Sequence, residues 1–258
     1  MKLRTMLVAA AASFLPFAAF ADGHEEVQDL ISDVWIFHVE SEDMADFSDG
    51  MEAFWKAREK AGDDATWYAY RPLIGKNMNR VHYRRIAGQW ADMDAYQEKV
   101  AAYETGDVFR DKVAPHVEYT ERYIEESDLE HSHWPDGANG PFYGVTTWYL
   151  DESVSPQAGE ARRAVSKMLK DGWASDENNW MWMYRYGGKS VLQMVTSFDS
   201  WAAMAEPEVT VFDFMMEKME SEEAVMGMFS DFSTGKVASD YTVWRLDEDL
   251  SYNLPDME

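Results

Sequence analysis

Apolar runs of strand length and helical spacings alternate along this chain in a fixed order. Residues 34–39 form a β-branched and aromatic run of strand type. Met44, Phe47, Met51, Phe54, Trp55 and Arg58 recur three or four positions apart, which predicts an amphipathic helix over 44–60. Segments 66–71 and 80–86 read as strands, joined by a stretch over 72–79 that carries Pro, Gly and Asn turn residues. A second helix opens at Asp92 with Met93, Tyr96 and Val100, and continues over 108–113 until Pro115. Residues 117–124 close the series as a strand. The order β-α-β-β-α-β then recurs, with strands at 144–150, 180–186, 190–196 and 240–246 and helices at 157–169 and 209–229.

Particular residues recur with the pattern. Trp35 and Trp67 stand 32 apart, as do Trp148 and Trp180, and an offset of 113 relates the pairs. The same offset relates Gly75-Lys76 to Gly188-Lys189. Trp90-Ala91-Asp92-Met93 corresponds to Trp201-Ala202-Ala203-Met204, and Glu118-Tyr119-Thr120 to Asp240-Tyr241-Thr242. Ordered matches with slowly changing offsets indicate an internal duplication. The turn-rich Pro135 to Gly140 separates the copies, so the units are set at 22–136 and 137–258.

Each copy has the order of a split βαβ, ferredoxin-like unit, which keeps both helices on one face of its sheet. The other face is apolar and needs covering, and two such sheets face to face satisfy each other around a lumen. On this element order and on the strand-then-Trp-x-x-Met helix starts at Trp90 and Trp201, the chain resembles the dimeric α+β barrel superfamily. That superfamily includes antibiotic-biosynthesis-type monooxygenases and stress-responsive barrel proteins. The resemblance implies an α+β fold with two tandem ferredoxin-like units forming an intramolecular pseudo-dimeric barrel, and hence a monomer.

The first segment changes the picture of where the protein works. Lys2 and Arg4 precede an apolar stretch ending in Ala19-Phe20-Ala21, followed by polar Asp22-Gly23-His24. This is the three-part pattern of a secretory signal peptide over 1–21, and predicts a periplasmic or secreted protein. The apolar run is shorter than a membrane span requires. Composition sharpens it further. With 48 Asp plus Glu against 23 Lys plus Arg the net charge is −25, which opposes binding to nucleic acid. No cysteine is present, so disulfides, thiolate nucleophiles and Cys-ligated metals are excluded.

Against that acidity Arg71, Lys76, Arg80, Arg84 and Arg85 crowd into fifteen positions. The third strand of the first copy reads Val81-His82-Tyr83-Arg84-Arg85, and His38 lies on the neighbouring first strand. Alternation pairs His82 with Arg84 and Tyr83 with Arg85, and either pair is open as the lumen pair. His82 and His38 are the candidate proton-transfer groups, and Arg71, Arg84, Arg85 and Tyr83 the candidate ligand-binding groups. The weighed alternative is a solvated cluster paired with surplus carboxylates. Trp180, Trp182, Tyr184 and Tyr186 share one strand face and read as core, as do the methionines of 209–229.

Metal and cofactor readings follow from the histidines. A mature start at Asp22-Gly23-His24 would offer Cu(II) a square of nitrogens at His24. His131 and His133, at i and i+2, would present two imidazoles on one side of an extended segment. In the haem-degrading branch of the resembling superfamily the axial His lies on the second helix; neither second helix here has one, which counts against haem, and no cofactor is expected. The first functional reading is a module that binds a small apolar or aromatic, anionic-capable molecule in the lumen. The alternatives are a cofactor-independent oxygenase, isomerase or lyase using a His/Arg pocket, and a structural protein with a filled lumen. Whether the chain is an enzyme stays open at this point.

Overall fold

The computed structural model describes residues 29–136, 138–151, 156–175 and 178–255. The leader expected over 1–21 and His24 lie outside them. In chain order the elements of the first half are β1 (Leu30–His38), α1 (Met44–Lys60), β2 (Tyr68–Ile74), β3 (Arg80–Gly88), α2 (Trp90–Ala101), the single turn α3 (Gly106–Val108) and β4 (Tyr119–His133). Those of the second half are β5 (Phe142–Leu150), α4 (Pro156–Gly172), β6 (Trp180–Tyr186), β7 (Val191–Phe198), α5 (Val211–Met219), α6 (Glu222–Ser233) and β8 (Lys236–Leu246).

The strands form one closed antiparallel barrel in the order β1-β3-β2-β8-β5-β7-β6-β4. It consists of two four-stranded sheets, β4-β1-β3-β2 and β8-β5-β7-β6, with the same internal order in each half. They are joined along β2–β8, where Tyr70 faces Leu246, and along β4–β6, where Glu125 faces Arg185. Closure removes the unpaired strand edges that an open sheet would expose.

Helices cover the outside of both sheets. On the first, Phe37, Val81 and Tyr83 pack against Phe47, Met51 and Trp55 of α1. On the second, Trp180, Trp182 and Leu192 pack against Leu169, Phe214 and Met215. A smaller cluster of Met181, Met183 and Val195 fills one end of the barrel interior. Helix α1 follows the expected spacing, burying Phe47, Met51, Trp55 and Arg58, and its chain turns away at Gly62, whose φ of +86° suits glycine.

Three segments differ from expectation for local reasons. The helix expected from 92 through 113 stops at Ala101 and resumes at Gly106, after Glu104 takes a left-handed conformation (φ 52°). The helix expected over 209–229 is broken: Glu220 takes a left-handed conformation (φ 51°), and Ser221 caps α6 by accepting from the Ala224 amide at 3.2 Å. The strand expected to stop at 124 runs on to His133. Its polar stretch Glu125 to Asp128 gains partners on β1 and β6 that its polarity does not advertise.

Gly50 of α1 tests the packing. A Cβ there would overlap the Lys112 carbonyl oxygen, a backbone atom with no rotamer to move. Gly50→Ala is expected to cost about 3 kcal/mol in urea unfolding. Gly106→Ala, where a Cβ meets nothing, should stay within about 0.5 kcal/mol of wild type.

Candidate functional site

Strand alternation assigns every barrel residue to the lumen or to the helix side, and on β3 it sends Arg80, His82, Arg84 and Ile86 inward. The lumen encloses a cavity of about 660 Å³, within the range of small-molecule sites. Eight strands leave room for side chains plus one small ligand.

The walls are aromatic and charged. Tyr70, Tyr143 and Trp244 stand around His82, whose ring meets Trp244 edge-on at 5.3 Å and Tyr70 at 5.9 Å. His82 Nε2 is buried and has no hydrogen-bond partner among the described residues. Burial, reinforced by Arg185, Arg84 and Arg80, drops the imidazole pKa to about 3. His82 is therefore neutral, with its ring in the state that accepts a proton or binds a metal. Burial also pushes the Tyr143 hydroxyl up to about 12 and that of Tyr70 well above its ordinary value.

Below His82 the polar groups form a closed network. Arg84 Nη1 donates to Glu125 (3.3 Å) and lies 3.1 Å from Met183 Sδ, while Nη2 donates to Ser32 Oγ (2.9 Å). Arg185 reaches the other Glu125 oxygen at 3.1 Å. Burial alone would raise the Glu125 carboxyl; Arg185 and Arg84 outweigh it and hold it below its usual value. At the upper end, where the β2–β3 and β6–β7 turns meet the lumen, Lys76 donates to Asp240 (2.8 Å). Glu121 there accepts from Tyr123 and sits 2.8 Å from His38 Nε2.

The sequence-derived candidates divide by strand face. His82 and Arg84 line the lumen together. Tyr83 and Arg85 do not: the parity of β3 turns them outward, Tyr83 into the α1 core and Arg85 under α2. Arg71 also points outward, 3.9 Å from Asp247. His38 is held between Glu121 and the stacked ring of Tyr119 (3.8 Å) and does not line the cavity; its cross-strand partner is Arg80, whereas His82 faces Ile36. His131 and His133 separate, His131 bonding Asp128 (2.9 Å) and His133 the Ser175 carbonyl (3.0 Å). Among the described residues no three His, Asp or Glu side chains converge as a metal would require. The sequence reading missed Arg185, Glu125, Tyr70 and Tyr143. Arg185 was legible as the odd member of a Trp, Met and Tyr strand, but Glu125 was hidden in an acidic run.

A second cavity, about 540 Å³, lies outside the barrel between the first sheet and its helices, walled by Trp35, Phe54, Trp67, Tyr96 and Phe109. Arg58 and Arg122 on its wall pair with Asp63 (2.6 Å) and Asp33 (3.0 Å). Arg85 is 6% exposed and instead lies over the Tyr96 ring at 3.8 Å, with Met93 Sδ at 3.1 Å. No histidine lines this cavity among the described residues.

No protein-family model matches the chain, and no curated protein matches it by sequence. Solved structures do match. One is a candidate monooxygenase from Lactobacillus acidophilus, at 10% identity, TM-score 0.50 and coverage of 87% of this chain and 96% of that one. Another is an anthrone oxidase-like protein, at 9% identity, TM-score 0.51 and coverage of 89% and 97%. A haem-binding protein from Thermus thermophilus aligns at 10% identity, TM-score 0.42 and coverage of 86% and 92%. The expectation of no cofactor, and of no haem in particular, is thereby corrected: solved chains that align along most of this one include a haem-binding protein. The missing helix histidine is no exclusion, because an imidazole nitrogen with no partner among the described residues is available at His82, on a strand. At these identities the likeness concerns fold, and the fold is that of the dimeric α+β barrel proteins, closed here within one chain.

The displaced pKa of His82 has a measurable consequence. Between about 3 and its ordinary 6.5 the unfolded chain binds the proton that the folded chain refuses, so stability falls as pH drops through that window. His82→Gln does not titrate. Its unfolding free energy relative to wild type should improve by on the order of 3 kcal/mol between pH 7 and pH 4, measured by urea unfolding. A pH-independent difference would contradict the assignment.

Proposed function

We propose that this chain is an oxygenase that binds a small aromatic molecule in the barrel lumen, with His82 as its proton acceptor. The observation that carries this reading is the buried, partnerless Nε2 of His82 on the wall of a cavity ringed by Trp244, Tyr70 and Tyr143. A simple carrier has no use for an imidazole kept neutral and unbonded. The candidate monooxygenase and the anthrone oxidase-like protein of the same fold are consistent with it.

The chemistry suits a methylene flanked by aromatic rings. Its C–H proton passes to His82 Nε2, and the electron pair left behind spreads into the rings, stabilised by the guanidiniums nearby. An imidazole held near pKa 3 takes that proton because the negative charge forms beside it, in a site with little water to screen the pair. Dioxygen adds to the carbanion, the proton returns to the peroxide, and loss of water leaves a ketone. Overall CH₂ and O₂ become C=O and H₂O, with dioxygen as the oxidant. A haem taken into the lumen would be held by His82, with Arg80 and Lys189 beside its carboxylates, and would supply redox chemistry there.

The same reading takes 22–136 and 137–258 as copies of one unit, supported by the matching strand order and tryptophan spacing. It takes the chain as exported, supported by the leader pattern over 1–21.

Anthrone is the probe substrate. The purified chain should consume one dioxygen per anthraquinone formed, and His82→Gln should lower kcat by about 10²- to 10⁴-fold while unfolding as cooperatively as wild type. Because His82 is neutral well below physiological pH, kcat/KM should be flat from pH 5 to 8. A variant as fast as wild type, or an inflection near 6.5, would remove His82 from the role.

A further inference from the structure

Charge pairing within the lumen is incomplete at one end. Arg84 and Arg185 share Glu125, Lys76 is paired with Asp240, and Glu121 is occupied by His38 and Tyr123. Arg80 has no carboxylate at ion-pair distance among the described residues, and its Nε has no hydrogen-bond partner. It lies over the Trp244 ring, 4.6 Å from the centroid. Burial pulls its pKa down, and the Glu121 carboxylate, already engaged by His38 and Tyr123, offsets that only in part. Such a charge is costly to hold unless something negative arrives. Lys189, on the β6–β7 turn, brings another cation to the same end of the cavity.

We propose that the ligand of the lumen is a small aromatic anion, a carboxylate or phenolate, that enters past the β2–β3 and β6–β7 turns and sets its charge on Arg80. This deepens the lumen reading above and rests on it. Arg80 and His82 share one face of β3 two residues apart, about 7 Å along the strand. That interval is close to the span of one aromatic ring plus its substituent. An anion on Arg80, with its ring against Trp244, therefore brings the carbon on the far side of the ring to His82. Arg80 is thus the specificity residue: it selects a charged group one ring away from the reacting carbon. The aromatic wall accounts for the ring and the guanidinium for the charge, and neither alone fixes the orientation.

Calorimetric titration of the full chain with 2-naphthoate and with uncharged 2-naphthamide tests this. Wild type should bind the acid at least tenfold more tightly than the amide. Arg80→Gln should weaken the acid at least tenfold and change the amide less than threefold, while Arg80→Lys keeps part of the preference. Thr147→Trp, which places an indole in the lumen, should weaken both. Equal affinity for acid and amide in wild type, or equal weakening of both by Arg80→Gln, overturns the anion proposal and leaves the lumen site standing. Failure of wild type to bind either probe, or binding undiminished by Thr147→Trp, overturns both.

Discussion

Glu125 is 1% exposed, and its burial is tolerable because guanidiniums from both sheets meet it. Arg84 comes from β3 in the first half and Arg185 from β6 in the second, so the network spans the β4–β6 seam from inside. With its amide nitrogen turned toward Glu125, Gln193 donates to the same carboxylate at 2.9 Å and accepts from Arg185 and Thr147. Removing Glu125 would leave two facing guanidiniums in a nearly dry space. Removing either arginine would strand a carboxylate. The polarity of the lumen depends on this one carboxylate being filled from both sides, whereas the depressed pKa of His82 comes first from burial, against which Glu125 works.

The same alternation that gathers this network separates β3 into two chemistries. Inward positions carry Arg80, His82 and Arg84; outward ones carry Val81, Tyr83 and Arg85. A register slip of one residue would exchange them, placing Tyr83 in the lumen and His82 under the helices. The pairing of Trp35 with Tyr83 and of Ile36 with His82 on β1 fixes the choice. So does the apolar packing of Tyr83 against Phe37 and Trp55, at ring distances of 5.7 and 5.8 Å.

The element order and most helix and strand positions were legible in the chain, because apolar spacing changes from two to three or four as strands give way to helices. Helix α1 was read to its ends. What was not legible was which face of β3 points inward. In a barrel wrapped by helices both faces are buried, so Val81-His82-Tyr83-Arg84-Arg85 shows no polar-apolar alternation to break the tie. The extension of β4 was hidden for a related reason: Glu125 and Asp128 look like linker residues until Arg84, Arg185 and Arg162 are placed beside them. The break before α6 was missed because a left-handed Glu220 carries none of the glycine signal expected there.

Closure of both sheets within a single polypeptide frees the lumen from two-fold symmetry. A barrel made by two identical chains must present every interior residue twice, so a histidine near the axis would face its own copy. Here β3 turns His82 and Arg84 into the lumen while β7 turns Val191, Gln193 and Val195 there. One imidazole, one buried carboxylate and one guanidinium with no direct ion pair among the described residues can therefore stand at different points around the same space. A ligand in such a chamber has a head and a tail, and the wall can tell them apart.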